Sequence, residues 1–147
     1  MEDRRRILVH AFSILFVSFG LGLVAGPLGA THHPHARLWM GAHVTGIMIS
    51  TLMVAVALAR PHLALGPRAG KLFYFCVVVG NWTGMLVLGI FGSIVGPNAP
   101  ITAPNVAPAG GLAGAVIIAG LVFVTFTSFT TCVLALRGLR KSAAANV

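Results

Sequence analysis

Residues 38–59 read LWMGAHVTGIMISTLMVAVALA, with no Lys, Arg, Asp or Glu. At about 1.5 Å of rise per residue such a helix is about 33 Å long, enough to cross the ~30 Å hydrocarbon core of a bilayer. Arg60-Pro61 follows at once, a dipeptide that stops a helix. On either side, three more runs of this kind occur at Ile7–Ala25, Leu72–Val95 and Leu112–Leu136. Gly26-Pro27 is expected to close the first and Gly96-Pro97 the third. These spans take up most of the 147 residues, so the expected fold class is all-α, an integral membrane four-helix bundle forming a single membrane domain over 1–147. Any function then lies within the bilayer or in short loops.

Composition agrees. Hydrophobic residues make up 57% of the chain and charged ones only 8%, against about 25% in soluble domains. Mean hydropathy is +0.95. Disordered and nucleic-acid-binding classes are excluded, because those chains are poor in the Leu, Ile, Val and Phe that dominate here. The net charge of +8 sits at the ends of the apolar runs. Arg4, Arg5 and Arg6 precede the first, Arg60, Arg68 and Lys71 lie between the second and third, and Arg137, Arg140 and Lys141 follow the fourth. By the positive-inside rule both termini and the middle loop are expected in the cytoplasm, with the chain in the bacterial inner (cytoplasmic) membrane. The first run is too long for the apolar core of a signal peptide.

The only carboxylates are Glu2 and Asp3. That excludes a carboxylate dyad, a Ser-His-Asp triad and a carboxylate-bridged di-metal site. Cys76 and Cys132 are isolated, at no metal or redox spacing. Chemistry must come from histidine, amides, hydroxyls or a bound cofactor. Glycines recur at four-residue spacing in Gly80/Gly84, Gly92/Gly96 and Gly110/Gly114, which suits close helix packing inside one bundle or between subunits.

His43 is the residue least at home in lipid. Gly46, Ser50, Met53 and Ala57 follow it at helical spacing and give it a small, weakly polar face with room for something flat. Two readings stand: an axial ligand to a haem iron, or a hydrogen bond to another helix. His10, near the opposite end of the first helix, lies about 20 Å away by helix rise, so the two histidines do not share one haem. Arg37 lies one and a half turns before His43, in reach of a haem propionate or of lipid headgroups. His32, His33 and His35 form a short loop tract, either metal-binding or simply solvated. On the third helix Tyr74, Asn81 and Leu88 recur every seven residues and are expected to share a face, with Trp82 beside it. Thr125, Thr127, Ser128, Thr130 and Thr131 read as hydroxyls that bond back along their own helix.

Arg5–Phe16 (RRILVHAFSILF), Gly41–Met48 (GAHVTGIM), Gly80–Trp82 (GNW) and Thr131–Arg140 (TCVLALRGLR), in this order and spacing, resemble the styrene oxide isomerase and hydroxylaminobenzene mutase family. The resemblance runs over nearly the whole chain. It implies that His43 ligates ferric haem b between the subunits of a homotrimer, the iron acting as a Lewis acid on the substrate oxygen. In the epoxide isomerases this yields an aldehyde through a cation and a 1,2-hydride shift. A mutase would convert an arylhydroxylamine to an aminophenol. Positions that carry a pocket tyrosine, asparagine and aspartate in the epoxide enzymes are Leu88, Ile49 and Gly80 here, whereas Asn81-Trp82 follows the mutase-like pairing. The resemblance therefore implies a haem b-dependent isomerase of small aromatic substrates, mutase-like first and epoxide isomerase second. His43 and Arg37 are the expected cofactor residues. Asn81, Trp82 and Ser50 are the expected pocket residues, and the uncharged loop 96–111, with Asn98 and Asn105, is the expected cap. A non-enzymatic membrane haem- or quinone-binding protein, and a structural or transport component with His43 as packing, are the competing readings.

Overall fold

The computed structural model describes residues 2–30, 36–95 and 111–144, all of them helical apart from one short connection. Helix α1 spans Glu2–Ala30 and α2 spans Ala36–Ala59. A 3-10 turn, Arg60–His62, leads to α3, Pro67–Thr83. The rod continues as a π-helical stretch, Gly84–Phe91, and a last α-helical turn, α4, Gly92–Val95. Helix α5 spans Gly111–Ala144 and starts on a left-handed Gly111, φ +68°, which a side chain would strain. Among the described residues four rods are long and apolar enough to cross a membrane: Glu2–Gly29, Leu38–His62, Pro67–Val95 and Gly111–Ala144. Among the described residues there is no strand.

The second span ends where Arg60-Pro61 places its stop, and Pro67 opens α3 behind an extended Gly66, the position where a missing N–H does no harm. The first ends later than expected. Helix α1 runs through Gly26-Pro27 to Ala30, because inside a membrane a proline breaks one backbone bond without an aqueous alternative to pull the chain out of the helix.

The helices pack as a row, α1 on α2, α2 on the π stretch, and α3 with its π stretch on α5. The core lies between the first three: Ile7, Ile14, Met53, Phe73, Val77 and Met85 are all buried. The outer faces carry Phe16, Leu23, Phe126 and Phe129, exposed as a lipid-facing surface should be. Glycine decides the closest approaches. A Cβ on Gly80 would stand 2.8 Å from Thr127 Cβ of α5, and one on Gly120 would stand 2.7 Å from Val87 Cγ1. Gly80 and Gly84 both face helices of the same chain, so this pair packs the bundle. Thr127 and Thr131 bond back to carbonyls of their own helix, as their spacing predicts.

All nine basic residues outside the 31–37 segment gather at one end, where the start of α1, the end of α2, the start of α3 and the end of α5 meet. Arg60 bonds Asp3 across α1 and α2 at 3.2 Å, and the Ala64 N–H donates to the Gly138 carbonyl of α5 at 3.2 Å.

The π stretch corrects one expectation. Tyr74 and His10 of α1 line the same cleft, whereas Leu88 would meet a Cβ on Gly120 of α5. The wider π turn lowers the rotation per residue, so the seven-residue repeat that should align Tyr74, Asn81 and Leu88 is lost after Gly84.

Candidate active site

His43 is held from α1 by a reciprocal pair of bonds. Its Nδ1 lies 2.7 Å from the Ser18 carbonyl oxygen, and the Ser18 hydroxyl donates to the His43 carbonyl at 2.5 Å. A carbonyl only accepts, so Nδ1 carries the proton and the lone pair of the neutral ring is left on Nε2. Among the described residues no hydrogen bond engages Nε2, and it is not a buried orphan, so it reaches the surface of the subunit. The ring rests where α1 lacks a side chain: a Cβ on Gly22 would stand 2.8 Å from Nδ1 and 2.9 Å from Cε1. One turn on, a Cβ on Gly46 would stand 2.8 Å from the Ser18 hydroxyl, so the two backbones meet closely around the imidazole. Phe19 sits beside it, ring centroids 6.3 Å apart and tilted 48°.

A fixed tautomer, a fixed ring plane and an available Nε2 are what a histidine needs in order to serve as a single metal ligand. Among the described residues no three His, Cys, Asp or Glu converge, so the donor set suits a cofactor that needs one protein ligand rather than a bare ion that needs three or four.

The other expected site residues lie deeper. Ser50 is buried in the α1–α2 contact and donates to the Ala11 carbonyl at 2.8 Å. It is seven residues from His43 along α2, about 10 Å of helix rise. Asn81 donates through Nδ2 to the Val77 carbonyl at 2.6 Å, which leaves Oδ1 unengaged among the described residues. Trp82 turns to α1, where its indole N–H donates to His10 Nδ1 at 3.2 Å. Asn81 and Trp82 lie just below Gly84, which faces Ile49, so they share the level of Ser50 rather than that of His43. Within one subunit the four do not converge. His10 is eight residues from Ser18, about 12 Å of rise from the level of His43 and less than the 20 Å expected, because α1 and α2 extend beyond the expected spans and overlap differently. The histidines remain separate, each with its own partner. The Arg37 side chain and residues His32, His33, His35, Asn98 and Asn105 lie outside the described residues.

Ser18 and Gly22 were not expected site residues. Their signal was present, a hydroxyl and a glycine four apart and so on one face of α1. It could not be told from ordinary small-residue packing without knowing which α2 residue it met.

The sequence profile of styrene oxide isomerases matches residues 3–140, which takes in every described helix. The chain belongs to the styrene oxide isomerase family. Among curated proteins it is 30% identical to "Hydroxylaminobenzene mutase HabB" of Ectopseudomonas oleovorans over 132 residues, which cover 86% of this chain and 77% of that one. No solved structure matches it. Membership in the styrene oxide isomerase family makes the chain an isomerase-type enzyme embedded in a membrane. The non-catalytic readings fall away.

Proposed function

We propose that the protein is a haem b-dependent intramolecular mutase that converts arylhydroxylamines to aminophenols. The observation that carries this reading is the His43 imidazole, its tautomer fixed by Ser18 and its Nε2 left available. The 30% identity to a hydroxylaminobenzene mutase, and Asn81-Trp82 in place of the epoxide enzymes' polar set, favour hydroxylamine chemistry over epoxide chemistry.

Haem bound through Nε2 of His43 would supply a Lewis-acidic ferric iron for the substrate oxygen. The chain's own residues do the rest. Ser18 and Gly22 set the ring's position, and Arg37, six residues earlier and about 9 Å along α2, supplies a cation for a propionate. The reaction is redox-neutral: the N–O bond breaks, a ring C–O bond forms, and one ring proton is lost while the nitrogen gains one. No external electron donor is required. Both carboxylates are far from His43, Glu2 bonded to Arg6 and Asp3 to Arg60, so the spans offer amides and hydroxyls rather than a strong base. Their contribution is to position the substrate and exclude water, which would otherwise intercept a cationic intermediate. Asn81 and Trp82 do not meet His43 within one subunit, so their place at the substrate, with Asn81 Oδ1 accepting a substrate N–H or O–H, requires a site shared between subunits; Ser50 holds α2 against α1.

His43 lies at the edge of the buried stripe of α2, half-exposed on the subunit surface. A flat cofactor held there is completed by a neighbouring subunit, which fits a homotrimer with haem between subunits in the bacterial inner membrane, both termini cytoplasmic. Purified protein reconstituted with haem b should convert hydroxylaminobenzene to 2- or 4-aminophenol without added reductant or oxidant. Styrene oxide turned over to phenylacetaldehyde, with hydroxylaminobenzene untouched, would favour the epoxide reading. Neither product would refute both.

A further inference from the structure

Two clefts run into each other on the outer side of α1, away from His43. The first, of about 430 Å³, is lined by Arg5, Arg6, His10 and Tyr74 together with Glu2 and Val9. Its polar groups are nearly all donors. Glu2 is paired with Arg6, and among the described residues Arg5 has no carboxylate partner. His10 accepts the Trp82 N–H at Nδ1, so the neutral ring carries its proton on Nε2. Tyr74 adds a hydroxyl. The second is a shallow, open strip of α1 itself: it shares Arg5 and Val9 with the first and continues along Leu8, Phe12, Ser13, Phe16 and Val17, with the Ser13 hydroxyl bonded back to the Val9 carbonyl. Phe12 and Phe16 are 60% and 81% exposed, so this wall is apolar and uncovered.

We infer that this surface binds one anionic phospholipid, its phosphate among Arg5, His10 and Tyr74 and an acyl chain along Phe12 and Phe16. Dimensions agree with that occupant. Arg5 to Val17 is twelve residues, about 18 Å of helix, against about 15 Å for one hydrocarbon leaflet. Charge agrees too. The cleft opens at the end of the bundle where Arg4, Arg5, Arg6, Arg60, Arg68, Lys71, Arg137, Arg140 and Lys141 gather against only Glu2 and Asp3. That end meets the leaflet whose headgroups are anionic. A soluble anion would use the first cleft alone; a neutral lipid would use the second alone. Only an anionic amphiphile matches both, and this holds whatever reaction His43 serves.

The test follows thermal unfolding of the purified protein in dodecyl maltoside, with dioleoyl phosphatidylglycerol, dioleoyl phosphatidylcholine or inorganic phosphate titrated in. Phosphatidylglycerol at a hundredfold excess over its Kd should raise the midpoint by about 5–10 °C, and the other two should not. Arg5→Gln should weaken phosphatidylglycerol about fivefold. Phe12→Ala should weaken it too, while Arg137→Gln, at the same basic end but on α5, should leave it unchanged. Equal stabilisation by phosphatidylcholine or by phosphate would overturn the proposal, as would equal losses in Arg5→Gln and Arg137→Gln. Phe12→Ala changing the oligomer mass but not the lipid titration would assign the groove to a second copy instead. Should Arg5→Gln fail to fold, the wild-type comparison of the two lipids and the Phe12→Ala titration still decide.

Discussion

Replacing Gly22 with alanine probes how α1 holds the imidazole of α2. The added methyl would stand 2.8 Å from Nδ1, 2.9 Å from Cε1 and 3.3 Å from Cγ of His43. Carbon atoms are in favourable contact at about 3.5–4.0 Å, so ring and methyl must separate by about 0.6 Å or more. The ring is tethered at 2.7 Å to the Ser18 carbonyl, and a shift of that size carries the bond to about 3.3 Å, beyond the good range. Overpacking of this kind costs about 1–3 kcal/mol, and losing the hydrogen bond about 0.5–1.5 kcal/mol. Loss of an outer-sphere partner of a metal-bound histidine usually lowers metal affinity about 10–100-fold. Gly22→Ala should therefore bind haem b about 10–100-fold more weakly than wild type, read by titrating haem into the apoprotein in detergent and following the Soret band. Gly20→Ala is the internal control: it lies on the same helix with nothing within 4 Å of the added methyl, and it should titrate like wild type. Gly22→Ala binding haem within threefold of wild type would refute the argument that α1 positions His43.

Gly80→Ala places a methyl 2.8 Å from Thr127 Cβ at the α3–α5 contact, and should cost about 1–3 kcal/mol, seen as a lower melting midpoint in detergent. The double variant Gly80→Ala/Thr127→Ala should recover part of that loss, because it removes Thr127 Oγ1, the atom nearest the added methyl, while Thr127 Cβ stays. Ser50→Ala removes a buried bond to the Ala11 carbonyl and should lower stability by about 1 kcal/mol with kcat/KM within about twofold of wild type. A large loss of rate at unchanged stability would place Ser50 in contact with substrate instead.

The four spans were legible because crossing a bilayer demands length and apolarity, both plain in the sequence. For α2, the run to Ala59 and the stop at Arg60-Pro61 agree with the structure, whereas the expected stop at Gly96-Pro97 lies outside the described residues. Gly26-Pro27 misled, because a rule drawn from water was applied within lipid, where α1 has no better partner for its backbone than itself. Helix faces were harder to read. A membrane helix is apolar all round, so hydrophobic periodicity does not report which side meets protein. The π stretch at Gly84–Phe91 then rotates everything after it, and the shared face of Tyr74 and Leu88 disappears. His43 stood out by chemistry alone. Ser18, Gly22 and the His10–Trp82 bond depend on which helices are neighbours, which composition does not encode.

If His43 carries a haem on which turnover depends, removing the imidazole should remove both. Wild type and His43→Ala, purified side by side from cells supplied with haem precursor, would be compared by absorption spectrum and by conversion of hydroxylaminobenzene under identical conditions. A Soret band and aminophenol are expected in wild type, with both lost in a His43→Ala protein that keeps its helicity and oligomer mass. Aminophenol formed at the wild-type rate by haem-free His43→Ala would contradict that dependence.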